Sequence, residues 1–222
     1  MFSISLKSVH NINLRFFWEI IMKLYFAPNS RAVRIAWLLE ELGLEYDIEK
    51  YSVGDRALRT PEYYKIHPMG RIPVLEDGET RIYESGAIVQ YLLARHGKGK
   101  FAPSVDDSSF PEYLQWLHYA EGSIMGQVNI LVVETILLPP EKRNDVNVNR
   151  ALKLLKVALG NVDNRLQDRE YLTGTFSGAD IMTGHACFGA MKAGAEIDDY
   201  KQLRAYIDRL LERPALKKAR SL

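Results

Sequence analysis

Three short constellations in this sequence bring together residue types that can hold a small charged ligand. The first is Ile72-Pro73, set in a run that otherwise reads as a strand over residues 72–76. Proline removes a ladder donor there, so it belongs on an edge strand or at a bend, often with a cis bond. A bend leaves the N–H and C=O of Ile72 free, and a peptide-like ligand can add itself to them as a short strand. The plain alternative is a proline that merely begins a strand. The second constellation is Glu84-Ser85, where a strand hands over to a helix. Helix N-termini offer unpaired N–H groups and a partial positive charge. Ser85 can present these to a carboxylate while Glu84 pairs with an ammonium, so one amino-acid head would satisfy both. The plain alternative is an ordinary capping serine behind an acid. The third is Asn29-Ser30, ahead of the first helix. A hydroxyl beside a helix N-terminus can donate to a thiolate, and the dipole lowers the thiol pKa from about 8.5. No base adjoins Ser30 in the sequence, which argues against an activated serine nucleophile, and capping is again the alternative. His67 and Arg71, beside the proline, can hold a second carboxylate or stand as solvated loop residues.

Other chemistries find little support. Cys187 lies between Ala186 and Phe188 in a predicted helix and reads as a buried structural thiol. The five histidines lack metal-ligand spacing, so no metal is expected. There is no phosphate-cradling glycine loop and no hydrolase-type serine elbow.

These residues must be positioned by a small mixed sheet. Residues 23–26 read as a strand, 31–42 as a helix stopped by Gly43, and 46–51 as a second strand. The Asp77-Gly78 dipeptide between two β-rich runs reads as a hairpin turn, with the returning strand over 79–83. A helix over 85–96 follows. Strand–helix–strand implies a parallel pair, and the hairpin adds antiparallel strands. Residues 97–107 carry linker chemistry, and beyond Phe110 the periodicity is helical throughout. The spacing predicts helices over 112–138, 146–168, from Ser177 onward, and 200–212 ended by Pro214. Ser177-Gly178-Ala179-Asp180 has capping-box spacing. The expected division is an extension over 1–21, an α/β domain over 22–100, a linker over 101–108 and an all-helical domain over 109–222. The extension reads as an upstream start, with Met22 the working first residue, or as a weak targeting segment.

Bulk properties narrow the class. The chain has 222 residues, 47% hydrophobic and 26% charged, which is ordinary for a globular protein of one large or two small domains. Lysine and arginine total 29 against 28 acids, so the net charge of +1 argues against nucleic acid or an anionic membrane surface as the main partner. A single cysteine excludes an intrachain disulfide and fits a reducing compartment. The greasiest run, over 130–138, is broken by Glu134 and Thr135 and falls short of the ~18 residues of a membrane span.

In combination, KLYFAPNSRAVRIAWLLEELGLEY (23–46), HPMGRIPVLEDG (67–78), ESGAIVQYL (84–92) and SGADI (177–181) resemble the glutathione S-transferases, and the serine-type members of bacteria and fungi in particular. The resemblance spans about 200 residues, from Met22 to the end. It implies a thioredoxin-like N-terminal domain, βαβ then ββα, followed by an all-helical domain. By the same resemblance Ile72 pairs with the cysteinyl part of glutathione, Pro73 is a cis-proline, and Glu84 and Ser85 hold the γ-glutamyl head. His67 and Arg71 then lie near the glycyl carboxylate. Ser30 falls where serine-type members place the thiolate-stabilising hydroxyl, with Asn29 as the neighbour some relatives use. Cysteine-type members carry a cysteine at about the place of Arg31, and this chain has none there. The second substrate is expected on PEYLQWLHYAEGSIMGQ (111–127), where Tyr113, Trp116, Tyr119 and Met125 offer apolar surface. The implied activity is conjugation of glutathione, as co-substrate, to small hydrophobic electrophiles, in a detoxifying cytoplasmic homodimer without metal, membrane or nucleic-acid partners. Glutathione-dependent peroxide or disulfide reduction, and a non-catalytic ligand-binding scaffold, are the alternatives.

Overall fold

Strand β1 (Met22–Phe26) is buried along most of its length, because it has a neighbour on each side and a helix over its face. It pairs in parallel with β2 (Tyr46–Lys50) and antiparallel with β3 (Val74–Asp77), and β3 pairs antiparallel with β4 (Thr80–Tyr83). The sheet order is therefore β2-β1-β3-β4. A computed structural model describes residues 22–222, and the expectations for residues 1–21 lie outside the described residues.

Helix α1 (Ala32–Leu42) connects the parallel pair. Its run AVRIAWLL is buried without a break, and Gly43 ends it at φ 66°, the left-handed conformation glycine adopts most cheaply. After a short helix α2 (Pro61–Tyr64), the chain reaches the hairpin and then α3 (Ser85–His96). This is the thioredoxin-like arrangement expected. Two details differ. The strand expected to include Ile72 and Pro73 begins only at Val74, because the Ile72-Pro73 bond is cis and turns the chain there. Nor is β3 an edge: it lies inside the sheet, so the bend is what accommodates the proline.

The rest of the chain is helical. The single helix expected over 112–138 is α4 (Phe110–Tyr119), a π-helical turn (Ala120–Met125), α5 (Gly126–Val132) and a second π turn (Val133–Leu137). π turns leave hydrogen-bonding groups out of step with the i→i−4 ladder and are frequent at functional sites. Helices α6 (Asp145–Arg165), α7 (Gly178–Lys192) and α8 (Lys201–Leu211) follow as expected. Pro214, read as a stop, also occupies the first turn of a further helix, α9 (Pro214–Ser221), where its missing N–H costs nothing. Ion pairs Glu41–Arg213 and Glu40–Lys218 tie that helix to α1.

Helix α7 is the central post, apolar nearly all round and packed on α4 and α1. One continuous core runs from β1 and α1 through α3 into the helical half. The capping box forms as read: the Ser177 N–H donates to Asp180 Oδ2 at 2.8 Å, and Ser177 Oγ accepts from the Ala179 N–H at 3.3 Å. Asp180 also accepts from the Leu172 N–H at 2.9 Å and the Tyr206 hydroxyl at 3.0 Å. Ser177→Ala is expected to cost about 1 kcal/mol, read as a shift in denaturation midpoint at constant slope. Among the described residues no helix is long and apolar enough to cross a membrane.

Candidate active site at the N-terminus of the first helix

Between the sheet and the helical half lies a cleft of about 190 Å³, lined by Arg31, His67, Arg71, Ile72, Pro73, Glu84, Ser85, Glu121 and Asn129. All six residues read from the sequence as ligand-holding positions thus share one cavity. Each owes its place to a local constraint. Ile72 lies outside the strand ladder, and its backbone N–H and C=O have no partner among the described residues. Glu84 holds φ 71°, ψ 111° ahead of α3, a conformation rare for a side-chain-bearing residue and concentrated at functional sites. Its carboxylate has no ion-pair partner among the described residues. Ser85 opens α3, is buried, and accepts a 3.0 Å hydrogen bond from Arg34 Nη1 on its Oγ. Because that bond uses a lone pair, the Ser85 O–H remains to be given to a ligand, as does the first-turn N–H.

His67 is buried under the Tyr83 ring, with centroids 4.6 Å apart, and its Nδ1 accepts from the Met69 N–H at 3.1 Å. Burial is the main cause holding its pKa below the ordinary histidine value. Its imidazole is therefore neutral near pH 7, with Nδ1 engaged, while Arg71 is exposed and has no carboxylate partner among the described residues. A histidine whose folded-state pKa lies below its unfolded value of about 6.5 supports the fold fully above that value. Support is then lost as pH falls through the window beneath it. Melting temperature is accordingly expected to fall between pH 7.5 and 5.5, and less steeply in His67→Asn, whose amide oxygen can still accept from Met69. An unchanged slope in the variant would remove His67 from this role.

Behind the cleft stands a network the sequence reading missed. Arg34 of α1 is wholly buried, and donates to Ser85 Oγ, to Glu121 Oε1 and, through Nε, to His185 Nδ1 at 3.3 Å. Arg31 adds a two-pronged pair to Glu121 at 2.9 and 2.9 Å. Despite desolvation, these arginines hold the Glu121 carboxyl below the usual range. Glu121 sits in the first π turn, so this network joins α1, α3 and the helical half at the cleft wall. Only Arg34 carried a signal: it is a lone charge inside an apolar helical run.

Asn29 and Ser30 lie just ahead of α1, and neither lines this cleft. Ser30 Oγ donates to the Ala27 C=O at 2.7 Å and accepts from the Ala32 N–H at 3.1 Å, so its one proton is engaged. Asn29 holds φ 59° and its Oδ1 accepts from Lys192 Nζ at 3.0 Å, leaving Nδ2 without an acceptor among the described residues. Asn29 lines a second cavity of about 430 Å³, whose walls include Phe26, Val33, His185, Phe188 and Leu216.

The aromatic residues expected to receive a second substrate do not line either space. Tyr113 and Trp116 are each 3% exposed, Tyr113 reaching Gly178 of α7 beside Val89 and Leu93 of α3 and Trp116 lying beside Tyr119, and the Tyr119 hydroxyl donates to the Ala158 C=O on α6. Met125 is buried against Gly189. Tyr113 and Trp116 are core because α4 packs closely on α7, while Tyr119 is half-buried. Cys187 is wholly buried and its thiol is pushed up to about 12, which makes it inert, as expected.

The N-terminal domain family of the glutathione S-transferases matches residues 21–94. Glutathione S-transferase 3 of Schizosaccharomyces pombe is 30% identical over 205 residues, covering 86% of this chain and 84% of its own. This chain belongs to the glutathione S-transferase family. Glutathione S-transferase 1 of Zea mays is 28% identical over 90% of this chain and 96% of its own. Among solved structures, a glutathione transferase of Phanerochaete chrysosporium in complex with oxidized glutathione superposes with a TM-score of 0.80 at 26% identity, covering 89% of this chain and 94% of that one. One from Pseudomonas putida, with a glutathione disulfide bound per subunit, gives 0.83 at 25% identity over 91% and 92%. The thioredoxin-like sheet with its helical second half is thus a glutathione S-transferase fold.

Proposed function

We propose that this glutathione S-transferase binds glutathione along the cleft and conjugates it to a small hydrophobic electrophile seated in the 430 Å³ cavity beside it. The observation that carries the reading is that these groups line one cleft: Glu84 and Ser85 match an amino-acid head, the Ile72 backbone a peptide middle, and His67 with Arg71 a terminal carboxylate. In this reading the ligand sulfur lies toward the N-terminus of α1, where the helix dipole and the Asn29 amide favour thiolate. The thiol proton passes to solvent. Sulfur then forms a C–S bond to the electrophile, and the leaving group departs with its electron pair. The cavity walls supply the apolar surface that holds the two reactants together.

Residues 22–100 are the glutathione-holding unit in this reading, with residues 101–108 linking it to the helical domain. The working form is a cytoplasmic homodimer serving detoxification, and sedimentation and cell fractionation check these two points. Turnover with 1-chloro-2,4-dinitrobenzene and with cumene hydroperoxide, compared at saturating glutathione, tests the activity itself. Faster conjugation supports the reading. A purely hydroperoxide-directed rate replaces it with reduction on the same site.

A further inference from the structure

The larger cavity is not simply apolar. Its floor is Phe26, Val33, Phe188 and Leu216, but two cations close its rim: Lys192 at the end of α7 and Arg220 near the end of α9. No acidic side chain lines it. This contrasts with the rest of the same surface. Arg213, Lys217 and Lys218, the other basic residues on and beside α9, each pair with a carboxylate: Glu41, Glu212 and Glu40. Arg220 and Lys192 have no carboxylate partner among the described residues. Arg220 lies 5.7 Å from the Phe188 ring, and Lys192 engages only the neutral amide oxygen of Asn29.

Resting on the reading of this cavity as the second-substrate site, we infer that it selects apolar molecules bearing an acidic group, a carboxylate or sulfonate on an aromatic or alkyl body. The apolar floor takes the body, while the ammonium and guanidinium at the rim take the anion. Arginine suits this role because its fork meets two anionic oxygens at once. His185 adds a neutral imidazole to the wall. Burial first, and then the charges of Arg34, Arg31 and Arg220, hold its pKa well below the ordinary value. Lys192 also bonds Asn29 at the proposed sulfur position, so the anion-binding rim and the reacting sulfur are neighbours. The inference reaches past conjugation in general to which electrophiles, and which inhibitors, this chain prefers.

Two dyes that differ by one sulfonate test it: 8-anilino-1-naphthalenesulfonate and the uncharged N-phenyl-1-naphthylamine, each titrated by fluorescence into the full chain. Lys192→Glu and Arg220→Glu alter exposed side chains, so both variants, and the pair combined, retain the fold. The wild-type chain is expected to bind the sulfonate on the order of tenfold more tightly than the neutral dye, as a charge-assisted contact predicts. The combined variant should reverse that preference, and rising salt should weaken sulfonate binding alone. Equal affinity for the two dyes, or equal losses for both in the variants, overturns the inference. Glutathione affinity measured on the same samples separates the two ideas. If glutathione binds normally while the sulfonate shows no preference, the anion selectivity is wrong and the proposed function stands. Loss of both in the wild type sinks the function itself.

Discussion

Exchanging Asn29 for aspartate is expected to lower kcat/KM for glutathione conjugation by about 10–100-fold, because one hydrogen bond to a charged group is worth about 1.5–3 kcal/mol. Ser30→Ala is expected to lose only a few-fold. The ranking follows from where the protons are. Ser30 gives its hydroxyl proton to the Ala27 carbonyl at 2.7 Å, and reaches a sulfur only by turning away from it. The Asn29 amide is already oriented, its oxygen held by Lys192 and its nitrogen without a competing acceptor among the described residues. A cation on the amide oxygen also polarises the N–H bonds toward the sulfur. Aspartate has the same shape and tolerates the φ of 59° about as well, so the variant replaces a donor by an anion without adding backbone strain. Steady-state rates of the two variants decide the matter. A larger loss in Ser30→Ala would return the thiolate to the serine hydroxyl.

The second large effect concerns stability. Glu121→Gln should cost about 3 kcal/mol, and about 6–12 °C in melting temperature for a chain of this size. The reason is that Arg34 is wholly buried, and Glu121 is the only carboxylate hydrogen-bonded to it among the described residues. Removing the acid strands an arginine charge, which is costlier than removing the arginine. The low end of the usual range applies because the Glu121 side chain is 40% exposed and water retains access to it. Arg34→Met, which deletes the charge and fills most of the space, should lose less, and the double variant should be more stable than Glu121→Gln alone. Arg34→Met should also raise the KM for glutathione, since Ser85 loses the donor that fixes its hydroxyl. Thermal melts of the three variants test this, and an Arg34→Met loss exceeding that of Glu121→Gln would contradict it.

Much of the site was legible in the sequence because the groups concerned announce themselves by local rules. A proline in a strand pattern, an acid-serine pair at a strand–helix junction and a capping-box spacing are constraints of backbone geometry; the pair and the box appear where they were read, and the proline sits at the bend just before β3 instead of inside it. What local rules miss is contact between distant segments. Glu121 and Arg34 are 87 positions apart, and nothing in the run around Glu121 distinguishes it from the neighbouring acids Glu112 and Glu134. Lys192 and Arg220 look like the favourable basic residues of helix ends, and only the fold shows that they meet over one cavity. Tyr113 and Trp116 differ in the other direction: aromatic residues at helical spacing fit a pocket wall and a core face equally well, and here they are core, while Tyr119 is half-buried and bonded to α6. The π turn at residues 120–125 was likewise invisible, since helical periodicity does not distinguish it from an uninterrupted α-helix.

The central claim is that glutathione lies in the cleft with its sulfur held as thiolate at the start of α1. Its most direct test is the ultraviolet absorbance of bound glutathione as a function of pH, in the wild-type chain and in Asn29→Asp. The account predicts a thiolate signal titrating clearly below the free-thiol value of about 8.5, and moving back up by one to two pKa units in the variant. Bound glutathione that titrates at the free-thiol value in both proteins would contradict it.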